Sequence, residues 1–281
     1  MGLGPQNISL TLSLWQEGLF KGYKRVVELG SQDLHVDPSD LTREMRRLTN
    51  NPELGTIKTA KALYQALGFE EYRCIDTDGR NDALVYDLNE NIKAKGFSEQ
   101  FDLVTNHGTT EHCFDQGNGF RNIHNLCAKN GLMVHALPFQ GYLNHGFYNY
   151  HPNFYRDLAV ANQYELKWML LSVDALSGGL SSYSNVMMKH LNITSLTTMA
   201  LVVVLRKMND DEFKVPFQGK YAGDSLLAEG YEFQRVPAMY LDLNEIAWEI
   251  SGRELFRILM VRTWRKFKRM LGFRPPKTTI S

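Results

Sequence analysis

Acidic, amide and imidazole side chains collect at the ends of short apolar runs in the first half of this chain. Glu28-Leu29-Gly30-Ser31-Gln32-Asp33 closes one run, Asp76 closes a second, and Asp87-Leu88 closes a third. Asn106-His107-Gly108 closes a fourth, with Glu111-His112 just beyond it. A carboxylate at such a place can accept both hydroxyls of a ribose. Asp76 is the candidate for that task, with Asp78 as the fallback. Proton transfer is open to the histidines, because imidazole titrates near neutral pH. His145 and His151 fall in the aromatic stretch 140–155 (QGYLNHGFYNYHPNFY), and either can take a proton from a hydroxyl. Tyr142, Phe147, Tyr148, Tyr150 and Tyr155 are candidates to wall an acceptor pocket or to face a cation. His112 is open to two readings, a catalytic one and a helix-capping one.

The first acidic turn discriminates between nucleotides. A dinucleotide site needs a run of glycines that lets the backbone approach a pyrophosphate at a helix N-terminus. Here Gly30 is followed by Ser31, Gln32 and Asp33, and the flanking Glu28 and Asp33 would repel a phosphate. A nucleoside that carries an ammonium and a sulfonium instead of phosphates gains from the same acids. A nicotinamide dehydrogenase is therefore disfavoured.

These residues need a sheet to hold them. Residues 24–29 (KRVVEL) read as a buried strand closed by Gly30. Helical character follows over 37–68, with Ser39 or Asp40 as cap and a second helix over 59–67 ending at Gly68. Residues 72–75, 83–86, 101–105 and 132–137 read as further strands, the last broken by Pro138. A helix with Phe120, Ile123, His124 and Cys127 along one face precedes Asn130-Gly131, and His124 is assigned to the core. Pro152 opens a helix over 153–162. Residues 165–173 and 198–208 read as two final strands, an antiparallel pair, separated by a flexible segment at 177–185. Strand and helix alternate from residue 24 to 164, which predicts a parallel sheet with helices on both faces.

The ordered set ELGSQD, YRCID, DLN, FDLVTNHGTTEH and CAKNGLMVHALP resembles the class I S-adenosylmethionine-dependent methyltransferases. It is most similar to the ubiquinone/menaquinone-biosynthesis type and to those acting on sugars or natural products. The likeness spans residues 24–208. It implies an α/β fold with a Rossmann-like, mostly parallel sheet of seven strands, the last antiparallel, and S-adenosylmethionine as methyl donor. It implies that Glu28, Gly30, Ser31 and Gln32 surround the amino-acid part of the donor and that Asp76 holds the ribose. Asp87 and Leu88 would flank the adenine, and Asn106, His107 and Gly108 would lie beside the sulfonium. His145 and His112 are the catalytic candidates. Gln32 stands where the family has its second glycine, and the long stretch from Gly30 to Asp76 calls for an inserted helix. The expected reaction is methylation of a hydroxyl on a small molecule or glycan. The alternatives are methylation of nitrogen and a non-catalytic subunit of the same fold.

Bulk properties limit the rest. The 281 residues are 43% hydrophobic and 22% charged, ordinary for a globular protein. Lys plus Arg and Asp plus Glu both number 31, so no overall field draws the chain to nucleic acid. Three cysteines without paired spacing suit reduced thiols in the cytoplasm, and no signal peptide is read at the N-terminus. No metal site is expected: Glu111, His112 and Asp115 cluster, but His107 and His112 stand five apart rather than four. The predicted organisation is an N-terminal segment (1–23), the donor-binding domain (24–208) and a C-terminal extension (209–281). Within that extension, 253–274 is a basic amphipathic helix, either packed on the domain or in peripheral contact with an anionic membrane. The oligomeric state is left open.

Overall fold

A computed structural model describes residues 2–173, 180–182 and 198–219. Its centre is a seven-stranded sheet in the order β4-β2-β5-β6-β9-β7-β8, formed by β2 (Arg25–Leu29), β4 (Glu71–Ile75), β5 (Phe101–His107), β6 (Cys127–Gln140), β7 (Glu165–Val173), β8 (Leu180–Ser182) and β9 (Met199–Arg206). Strands β4, β2, β5 and β6 are mutually parallel, and β9 runs antiparallel to β6 and β7 on either side of it. This is the mostly parallel, antiparallel-ended sheet expected. A two-stranded parallel ribbon, β1 (Gly2–Leu3) with β3 (Asp33–Leu34), lies outside it.

Alternation along each strand sends side chains into two apolar layers. Val27 and Leu29 of β2 join Val104, Met133 and Leu201 on one face, covered by α4 (Gln116–Leu126) and α5 (Pro152–Asn162). Val26 joins Leu103, Val134 and Val204 on the other, covered by α1 (Pro5–Gln16), α2 (Pro38–Thr49) and α3 (Ala60–Ala66). Each such aliphatic side chain contributes roughly 1.5–3 kcal/mol by leaving water, so strands with both faces buried read as continuous apolar runs.

Four local readings change. Residues 83–86 make a single bridge, Leu84 to Ile75, and Val85 is exposed, so no strand forms there. Asp37, not Ser39 or Asp40, caps α2: its carboxylate accepts the Ser39 and Asp40 N–H groups. Strand β6 continues through Pro138, with a register shift between Pro138 and Gln140 that absorbs the missing donor. The N-terminal segment, set apart by the sequence, contributes α1 to the second layer through Ile8, Leu10, Leu12 and Leu14. Its Leu-x-Leu spacing hides the helix. The intervening hydroxyls of Thr11 and Ser13 bond the carbonyls of Asn7 and Ser9 one turn back, so they too can be buried.

The inserted helix expected between Gly30 and Asp76 is present twice over, as α2 and α3. Among the described residues no helix is long and apolar enough to cross a membrane. Within the 177–185 segment read as flexible, 180–182 instead forms β8, antiparallel to β7; the rest of it and the whole of the basic 253–274 segment lie outside the described residues.

Candidate functional site

The chain passes from β2 to its neighbour β4 on one side, then crosses to β5 on the other. The strand order therefore reverses at the carboxyl ends of β2 and β5, the place where open α/β sheets bind ligands. Gly30 leaves β2 with φ of 83°, a left-handed conformation that suits glycine, and its N–H donates to the Ile75 carbonyl at 2.8 Å. The next N–H, of Ser31, donates to Asp76 Oδ2 at 2.9 Å, and the Ser31 hydroxyl lies 2.9 Å from Asp78 Oδ2. Ser31, Asp76 and Asp78 thus form one acid-lined turn, and the fallback carboxylate sits beside the preferred one. Arg80 pairs with Asp33 at the outer rim at 2.6 Å.

Gln32 is buried and ties this turn to β5: its side-chain amide donates to the carbonyls of Leu29 (3.1 Å) and His107 (3.3 Å). Thr109 Oγ1 donates to the Leu29 carbonyl at 2.7 Å. Asn106 is wholly buried, bonded to Thr110 at 2.9 Å and in contact with His135 Nδ1 at 3.3 Å. Burial holds the His107 imidazole down at about 4, so it is neutral at pH 7. Leu88 packs in the first apolar layer, while Asp87 is exposed and accepts from the backbone and side-chain amides of Asn89.

Glu28 lies elsewhere. It alternates with Val27 and Leu29 and so points to the α3 face, where its carboxylate accepts from Tyr64 (3.0 Å), Tyr72 (2.8 Å) and Thr105 (3.4 Å). It is fully buried, and burial raises its pKa to about 7 against the pull of those hydrogen bonds. Its oxygens are taken up inside the core. The period of two along a strand sets this direction.

A second group converges beyond β5. Glu111 lies in a short 3-10 turn, Thr110–His112, with its side chain only 1% exposed. Burial pushes its carboxyl up to about 7, and neither oxygen has a hydrogen-bond donor among the described residues. His145 Nε2 lies 3.4 Å from Glu111 Oε1 and His112 Nε2 lies 3.9 Å from the same atom. The two imidazoles, each about two-fifths exposed (40% and 42%), stand with ring centres 5.0 Å apart. Burial and the neighbouring His145 hold His112 below its ordinary pKa. Gly146 brings the loop in: a Cβ there would lie 2.9 Å from Glu111 Cγ.

Glu111 and His145 line a cavity of about 190 Å³ together with His107, Gly108, Pro138 and Tyr142. The N-terminal segment supplies Gly2, Gln6 and Asn7 to the same wall. Nothing in the sequence pattern marked those three. Of the five aromatic candidates, Tyr142 lines the cavity, 5.3 Å from His145. Tyr150 and Tyr155 are core residues, Phe147 is exposed, and Tyr148 bonds the Phe114 carbonyl. His151 precedes α5 and stands edge-on to Phe139, while Asp115 caps α4 through the Asn118 N–H.

No family model matches the chain, and no curated protein matches it in sequence. Among solved structures it is similar to the N-methyltransferase NodS from Bradyrhizobium japonicum WM9, crystallised with S-adenosyl-L-homocysteine. The identity there is 12% and the TM-score 0.43, with 73% of this chain and 89% of that one covered. It is also similar to a SAM-dependent methyltransferase from Archaeoglobus fulgidus, at 13% identity and a TM-score of 0.42, with 71% and 94% covered.

Proposed function

We propose that the protein is an S-adenosylmethionine-dependent methyltransferase acting on a hydroxyl of a sugar or similarly polar small molecule. The observation that carries this reading is the acid-lined turn of Ser31, Asp76 and Asp78 at the switch point between β2 and β5. A turn so charged suits a cationic, phosphate-free nucleoside and opposes a dinucleotide. Asp76 and Asp78 would hold the ribose, and Gly30, Ser31 and Gln32 would border the amino-acid part. Asn106, His107 and Gly108 would border the sulfonium, with a neutral His107 adding no repulsion. Asp87 and Leu88 are assigned to the adenine side. When bound, the donor supplies a methyl group already activated on positive sulfur.

The chain's own part is positioning and proton removal. Gln32 bridges from the donor turn to the carbonyl of His107, whose ring lines the cavity, so the two subsites meet at β5. About 190 Å³ admits one functional group of an acceptor rather than a whole glycan. Holding that group aligned can provide much of the rate. A hydroxyl must also lose its proton, and His145, on the cavity wall 3.4 Å from Glu111 with His112 beside it, is the group placed to take it. That pairing favours oxygen over nitrogen as the acceptor atom. The three cysteines are unpaired and buried, in keeping with a reducing compartment such as the cytoplasm.

Calorimetry of the full chain with S-adenosylmethionine and with NAD tests the reading. S-adenosylmethionine should bind, NAD should not, and Asp76→Ala should weaken the methyl donor by roughly tenfold or more, the loss expected when a charged hydrogen-bond acceptor is removed. No heat and no thermal shift with S-adenosylmethionine would overturn it. For the acceptor atom, His145→Ala should abolish transfer to hydroxyls; unchanged turnover would point to nitrogen.

A further inference from the structure

We propose that Glu111, His112 and His145 bind one divalent transition-metal ion, of the class that prefers imidazole together with carboxylate, such as Zn²⁺ or Co²⁺. One ligand atom from each of the three lies within 4.8 Å of the others. Two imidazoles and one carboxylate leave further coordination positions open, as a catalytic rather than a structural site requires.

The buried carboxylate is the independent sign. Glu111 is buried in the cavity wall, yet neither of its oxygens receives a hydrogen bond among the described residues. A carboxylate in that state is strongly unfavourable unless a proton or a cation neutralises it. The nearest groups offered to it are the two imidazole nitrogens, at 3.4 and 3.9 Å. Ligands about 2.0–2.1 Å from a tetrahedral ion stand roughly 3.3–3.4 Å from one another. His145 already meets that separation. His112 stands farther off, 3.9 Å from Glu111, and its exposed side chain must turn inward to reach the same separation from both partners. The backbone holds the set together: the Phe147 N–H donates to the Glu111 carbonyl at 2.8 Å, and Gly146 leaves no side chain in between.

The ion would border the cavity, since Glu111 and His145 line it. There it would lower the pKa of a hydroxyl that reaches an open position, the proton leaving to water. In the ion-free protein His145 takes the proton itself; with the ion bound it activates the same hydroxyl through the metal, so His145→Ala removes hydroxyl transfer in either state. This role rests on reading the cavity as the acceptor site; the binding of the ion does not.

The full chain, stripped by a chelator and dialysed, should take up one Co²⁺ per molecule with visible absorption bands, and Zn²⁺ should displace it while Mg²⁺ should not. His145→Ala and His112→Ala, on exposed side chains that circular dichroism should show folded, should each weaken Co²⁺ by more than the ~10–100-fold that loss of an outer-shell partner costs. His151→Ala should bind as the parent does. Sub-stoichiometric uptake, or uptake unchanged in His145→Ala, would overturn the site. S-adenosylmethionine binding is measured in parallel. Co²⁺ bound at these residues without donor binding would sink the methyltransferase reading and leave the metal site standing. Donor binding without Co²⁺ would do the reverse.

Discussion

Gly146 lies flat against Glu111: a Cβ built on the glycine would fall 2.9 Å from both the Cγ and the carbonyl oxygen of the glutamate. This contact sets how closely His145, one residue earlier, approaches the buried carboxyl. Gly146→Ala should push the loop outward, at a cost of about 1–3 kcal/mol for overpacking, and lower turnover far more than stability. Gly55→Ala, exposed and with open space at its Cβ, is the control and should change neither. Equal melting temperature and equal turnover for both variants would refute the close contact.

Glu28 makes stability depend on pH in the alkaline direction. Its carboxyl is raised from 4.5 to about 7 in the fold, chiefly by burial, so the folded state favours the protonated form. The stabilisation is complete below about 4.5 and is lost as pH rises through about 7, amounting to roughly 3 kcal/mol. Glu28→Gln, which keeps acceptor and shape, should remove this loss. Urea midpoints at pH 5 and pH 8, compared between the parent and the variant, measure it.

Buried histidines act in the opposite direction. His124 bridges Tyr164 and the Asp211 carbonyl, and its pKa falls to about 4; that of His135 falls to about 3, both mainly through burial. Folded-state values below the unfolded one mean that their stabilisation is present above about 6.5 and lost as pH falls. Each should contribute on the order of 3 kcal/mol to acid unfolding. Denaturation between pH 6.5 and 4 should show a steep decline, and His124→Gln should flatten it.

Tyr155 carries a buried hydroxyl with no partner among the described residues. Its ring is packed by Phe154 and Tyr150, while the hydroxyl forfeits its hydrogen bond to water. Tyr155→Phe keeps the ring and removes the orphan, so stability should hold or rise by about 1 kcal/mol. A fall of more than that in chemical denaturation would show that the hydroxyl has a partner in the native protein.

Most of the sheet is legible in the sequence: β2, β4, β5, β6, β7 and β9 fall on its strand-like runs, while 83–86 makes only a bridge and β8 has no such run. Runs such as residues 132–137 and 199–205 are largely apolar because both faces of the strand are covered, and that pattern is local enough to read. It also placed the acids and amides at strand ends, since a buried run ends where polar residues begin. Tertiary structure decided which way those side chains look and what meets them. Glu28 and Asp76 are equally acidic in sequence, but strand alternation and the positions of Tyr64 and Tyr72 turn Glu28 into the core, while the Gly30 turn brings Ser31 onto Asp76. Helix α1 is not legible in the spacing because its burial depends on the Thr11 and Ser13 hydroxyls bonding back along the helix. The meeting of His145 with Glu111 is likewise invisible to spacing. It arises because the loop after β6 folds back over the turn after β5, and two adjacent parallel strands end at the same edge of the sheet.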